Sequence, residues 1–72
     1  MNTIYEVKVN YVNMESGTVF EKKIHFASDF SAKFIAKNYA KCEDVVSVEV
    51  MDTMTGEIIY YHYADGDEYE AG

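Results

Sequence analysis

Between Thr3 and Val12 the chain alternates. Tyr5, Val7, Val9 and Tyr11 fall on one side and Ile4, Glu6, Lys8, Asn10 and Val12 on the other, which is the period of a half-buried strand. A second alternating run, Thr18 to Ala27, sets Phe20, Lys22, Ile24 and Phe26 against Val19, Glu21, Lys23 and His25, and only Lys22 conflicts with burial. A four-residue loop over Met14–Gly17 pairs Tyr11 with Phe20, Val7 with Ile24 and Tyr5 with Phe26, so both apolar rows share a face. The same register brings Glu6 beside His25 and Lys8 beside Lys23.

From Ala27 to Cys42 the period lengthens to that of a helix, with Ser28 or Asp29 as N-cap and lysines towards the negative end of the dipole. Ala32, Ile35, Ala36 and Tyr39 form an apolar arc, extended by Ala40 and Cys42. Lys33, Lys37 and Lys41 run opposite it, with Phe30 and Phe34 alongside. Beyond Glu43 and Asp44, the run Val45–Asp52 puts Val46, Val48 and Val50 on one face, and a last strand covers Glu57–Tyr63.

The connection TMTGE, Thr53 to Glu57, resembles the first hairpin turn of ubiquitin, which implies a type I turn with Gly56 in a left-handed bulge position. In that geometry Thr53 faces Glu57, Met51 faces Ile59, Val50 faces Tyr60 and Val48 faces His62. Val46, Val48, Val50, Ile58 and Tyr60 then lie under the helix, while Met51, Ile59, Tyr61 and Tyr63 point away. A four-residue loop instead turns Ile59, Tyr61 and Tyr63 inward and Ile58, Tyr60 and His62 outward.

These elements predict an α+β, two-layer ββαββ domain over residues 1–64: two antiparallel hairpins joined by one helix packed on one sheet face. Residues 65–72 are expected to form an acidic, disordered tail. One helix covers one face, so the other exposes Ile4, Val12, Val19, Met51, Ile59 and two tyrosines among charged residues, a pattern typical of interaction surfaces.

Composition narrows the functional classes. The 72 residues carry thirteen acidic and six basic side chains, a net charge of -7, and every basic one is Lys. Arg is the usual bidentate reader of phosphate and guanine, so direct nucleic-acid binding is not expected; a basic protein surface suits the charge better. A single Cys42 forms no internal disulfide, and neither a leader pattern nor a stretch of membrane-spanning length is recognisable, so a cytoplasmic protein is expected.

The hairpin, the alanine-containing helix and VVSVEVMDTMTGEIIY together resemble small accessory proteins of phages and mobile elements of Gram-positive bacteria. The resemblance implies a small protein that binds, and often blocks, a host protein. A hairpin leading into SDF at the helix start is similar to the phage inhibitor of uracil-DNA glycosylase.

Catalysis finds little support in the sequence. Cys42 lacks an orienting partner or oxyanion motif and falls near the buried arc, so it reads as a small core residue. The two histidines lie on different hairpins, and DGDEYE lacks the spacing of a calcium loop, so no metal or cofactor is expected. The lysine stripe reads as a solvated face. Seven tyrosines are more than so small a core can bury with satisfied hydroxyls, which places some outside, either in a partner contact or in cross-strand support on a solvated sheet.

The sequence therefore points to a non-enzymatic, acidic protein-binding module, with Phe34, Glu49, Met51, Ile59, Tyr61, Tyr63, Asp65, Asp67, Glu68 and Glu70 as the contact residues. Its expected partner is a host protein with a basic surface; if that protein normally binds DNA, the carboxylates stand in for phosphates. The alternative is a homodimer that uses the exposed sheet face as its seam.

Overall fold

The computed structural model describes residues Ile4–Ala71; Thr3, at the start of the expected first strand, and Gly72, at the end of the expected tail, lie outside the described residues. The elements are β1 (Tyr5–Val12), β2 (Val19–Phe26), α1 (Asp29–Ala40), β3 (Val45–Asp52), β4 (Ile58–Tyr63) and β5 (Glu68–Glu70). All strands pair antiparallel in one sheet of order β2-β1-β3-β4-β5. One helix on a five-stranded antiparallel sheet is the expected α+β class, enlarged by one strand.

The first hairpin has the expected register, with Tyr11 opposite Phe20, Val7 opposite Ile24 and Tyr5 opposite Phe26. Its loop holds because Asn13 Oδ1 accepts from the Glu15 and Ser16 amides at 2.9 and 3.2 Å, the local turn chemistry of an Asx residue. Gly17 closes the loop at φ +73°, a conformation that costs other residues about 1–2 kcal/mol.

Ser28 caps α1 by accepting from the Ser31 amide. Ala32 and Ala36, fully buried, let the helix lie close over β1 and β3, where Val7, Val9, Val48 and Val50 are also fully buried. Each buried valine contributes roughly 1.5–3 kcal/mol relative to exposure. Tyr60 of β4, 5% exposed, completes this core.

The second hairpin takes its loop length from one expected geometry and its Val50–Tyr60 register from the other. Its loop holds four residues, Thr53–Gly56: the Asp52 amide donates to the Glu57 carbonyl at 2.8 Å, and the Gly56 amide to the Asp52 carbonyl at 2.7 Å. Yet Val50 still faces Tyr60 and Val48 faces His62, because the register shifts between Val50 and Met51 and Met51 comes to face Ile58 instead of Ile59. Ile59 is the extra residue of a β-bulge, and a one-residue insertion reverses the alternation beyond it. The bulge thus undoes the inversion that a four-residue loop imposes.

A second shift, between Asn10 and Tyr11, leaves Val46 without a cross-strand partner on β1. Val46, expected under the helix, is 39% exposed for this reason.

The acidic tail is also corrected. Gly66, at φ +96°, donates to the Tyr63 carbonyl at 2.9 Å while the Tyr63 amide donates to Asp67 at 2.8 Å. This is a three-residue glycine-bulge turn of the kind expected at TMTG, located one hairpin later. It folds β5 back onto β4, pairing Tyr60 with Glu70, Tyr61 with Tyr69 and His62 with Glu68.

Candidate protein-contact site

Successive residues of β4 alternate between faces, so with Tyr60 under the helix, Tyr61 and Tyr63 stand on the helix-free face. β5 adds Tyr69 beside them. The Tyr61 ring stacks on Tyr63 at 4.9 Å between centroids and on Tyr69 at 5.7 Å, within the range in which aromatic pairs attract. Tyr69 remains 45% exposed, so the stack presents ring surface and hydroxyls outward.

Carboxylates surround the stack. Glu49 sits directly opposite Tyr61 on β3, and Asp65 and Asp67 occupy the turn that leads from Tyr63 to β5, where Asp65 Oδ1 accepts from the Asp67 amide at 3.0 Å. Desolvation, and then the negative fields of Glu49, Tyr61, Asp67 and Asp65, push the Tyr63 hydroxyl above its ordinary pKa. The hydroxyl is therefore a protonated donor beside an acidic rim.

The other contact residues expected from the sequence divide. Met51 is half-buried on the same face, opposite Glu6. Ile59, expected to point away from the helix, is half-buried at its bulge and packs against the core. Glu68 and Glu70 turn to the helix side instead. Glu68 lies 3.6 Å from His62, and Glu70 lies 2.9 Å from Lys37 and 3.8 Å from Lys33. The Lys37 hydrogen bond holds the Glu70 carboxyl below the usual carboxylate range, and Glu70 in turn raises Lys37. Phe34 is on the outer side of α1, 58% exposed and stacked on Phe30 at 6.5 Å, and so belongs to a separate surface.

Tyr69 escaped sequence reasoning because acidic neighbours disguised its strand. The signal was present in Ala64-Asp65-Gly66, a turn tripeptide followed by alternating residues. Lys37 and Lys41 are exposed, as a solvated stripe requires, but Lys33 is half-buried and donates to the Ala71 carbonyl at 2.7 Å, so its charge clips β5 to the helix.

The remaining half of the helix-free face is differently charged. Lys8 faces Lys23 across β1 and β2, Lys23 lies 3.5 Å from Glu21, and His25 lies 3.2 Å from Glu6. Asn10 donates to Ser47 at 3.0 Å nearer the centre.

Cys42, expected near the core, is exposed just past the helix, where its thiol approaches the Asn38 carbonyl at 3.8 Å. Among the described residues no group of three or more His, Cys, Asp or Glu side chains is placed to hold a metal ion. No helix among them is long and apolar enough to cross a membrane. Searched against family models, curated proteins and solved structures, the chain finds no match.

Proposed function

We propose that this chain is a non-enzymatic, acidic protein-binding module that grips a basic protein surface with the carboxylate-rimmed stack of Tyr63, Tyr61 and Tyr69. The stack carries the reading. Three aromatic rings on an uncovered sheet face supply large contact area at low entropic cost, and the ring faces attract ammonium and guanidinium groups by about 0.5–2 kcal/mol each. Glu49, Asp65 and Asp67 add complementary charge, and the net charge of -7 steers a cationic partner inward.

The partner in this reading is a host protein with a basic groove, such as one that normally holds DNA, and the chain is an inhibitor carried by a phage or mobile element. A seam covering the entire helix-free face is disfavoured as an alternative, because it buries Glu6, Lys8, Glu21, Lys23 and His25, and buried charges cost more than their pairing returns unless each is well matched.

Affinity capture from host lysate at low and at high salt tests the proposal, using the native chain beside Tyr61→Ala/Tyr69→Ala. A basic partner retained by the native chain, weakened by salt and lost with the double variant is expected. Equal capture by both chains contradicts it.

A further inference from the structure

The opposite end of the sheet carries a second surface, one that does not depend on the tyrosine stack. β2 is eight residues long, stands last in the sheet order and pairs only with β1. The Asn13 amide donates to the Thr18 carbonyl, which sets the alternation along the hairpin: Phe20, Lys22, Ile24 and Phe26 bond to β1, whereas the amides and carbonyls of Val19, Glu21, Lys23 and His25 point to the open edge. A long row of unpaired groups is a template for another strand.

The side chains select the occupant. Phe20 is 44% exposed, and Ile24, Phe26, Ile35 and Tyr39 line an apolar groove of about 330 Å³ between β2 and α1. On the other face Glu21 and Lys23 stand two residues apart.

We infer that β2 pairs antiparallel with β2 of a second copy of this chain, about a two-fold axis at Lys22. Directly opposed residues in an antiparallel pair share both hydrogen-bonding type and face, so only registers symmetric about a residue are allowed. Centring on Glu21 opposes two glutamates, and centring on Lys23 opposes two lysines. Centring on Lys22 sets Glu21 against the second copy's Lys23, and Lys23 against its Glu21. It also sets Phe20 beside the second copy's Ile24, at the apolar groove, and repeats both matches across the axis.

The Lys22 pair at the axis is the one unfavourable match. Its ammonium is drawn aside, bonding to the Tyr39 hydroxyl at 3.2 Å and lying 5.7 Å from the Tyr39 ring centroid. The product is a continuous ten-stranded sheet with a tyrosine stack near each end.

Sedimentation equilibrium at low salt tests this directly. The native chain is expected to show twice its 8.3 kDa mass at about 100 µM, a concentration at which even modest self-association is populated. Glu21→Lys or Lys23→Glu alone sets like charges opposite at two places and should weaken the dimer about tenfold or more. Glu21→Lys/Lys23→Glu together restores opposite charges and should return it to within a few-fold of native. Both side chains are about half exposed, so the monomer fold tolerates each change, which circular dichroism verifies. A native monomer overturns the inference. So does a dimer indifferent to the single reversals, or one that the double reversal fails to rescue.

Discussion

The sheet ends in two edges of opposite construction. β2 is long, alternating and open along its whole outer side, whereas β5 has three residues, two of them acidic, and is fastened to the helix through Lys33 and Lys37. A short, charged and tied-down strand is one way to close an edge against unwanted pairing. In closing it, β5 also delivers Tyr69 to the helix-free face, so one device both terminates the sheet and completes the tyrosine stack. The open edge lacks such a closure and instead bears a self-complementary order of charges.

The two edges differ most at Tyr60, which joins the β5 end of the sheet to the core. Tyr60→Ala should cost about 3 kcal/mol or more in urea unfolding, whereas Phe20→Ala at the open edge, where the ring is already 44% exposed, should cost about 1 kcal/mol. Equal losses would mean that both edges are equally built into the core.

Next is Gly66→Ala. A Cβ there meets no atom within 4 Å, so the penalty is the backbone conformation at φ +96° alone, about 1–2 kcal/mol. The loss should be local. Exchange of the Ala71 amide, bonded to the Ile59 carbonyl at 2.9 Å, should accelerate while β1–β2 amides keep their protection.

A smaller, pH-dependent effect concerns the clip. Because Lys37 lowers the Glu70 pKa below its value in the unfolded chain, the contact stabilises β5 fully above the ordinary glutamate range and is lost as pH falls through the lowered value. Protection of Ala71 should therefore hold from neutral pH down to the mid-4 range and decline below it, and Lys37→Ala should flatten that decline. Least of all, Lys23→Ala should change monomer stability by only a few tenths of a kcal/mol, as for other exposed ion pairs.

Much of this architecture was legible in the residues. The four-residue loop at Met14–Gly17 determined the first hairpin's register, and the spacing of Ala32, Ile35, Ala36 and Tyr39 identified the helix face. Strand order was not legible, because the pairing of β1 with β3 joins distant segments that no local period encodes. The bulges at Val46 and Ile59 were hidden as well: an inserted residue leaves the alternation on either side intact and changes only which face it addresses. At Ile59 the bulge cancelled the inversion of the alternative four-residue loop, so Tyr61 and Tyr63 reached the face expected of the ubiquitin-like turn. Charge concealed β5, since Asp65 and Asp67 read as solvation when they are turn residues.

The most direct test of the account is the hydrogen-exchange footprint of this chain in complex with a basic partner recovered by affinity capture. Added protection centred on Glu49, Tyr61, Tyr63, Asp67 and Tyr69, with Phe30, Phe34 and the outer side of α1 unchanged, is the predicted result. Protection confined to the helix, with the tyrosine stack exchanging as in the free protein, would contradict it.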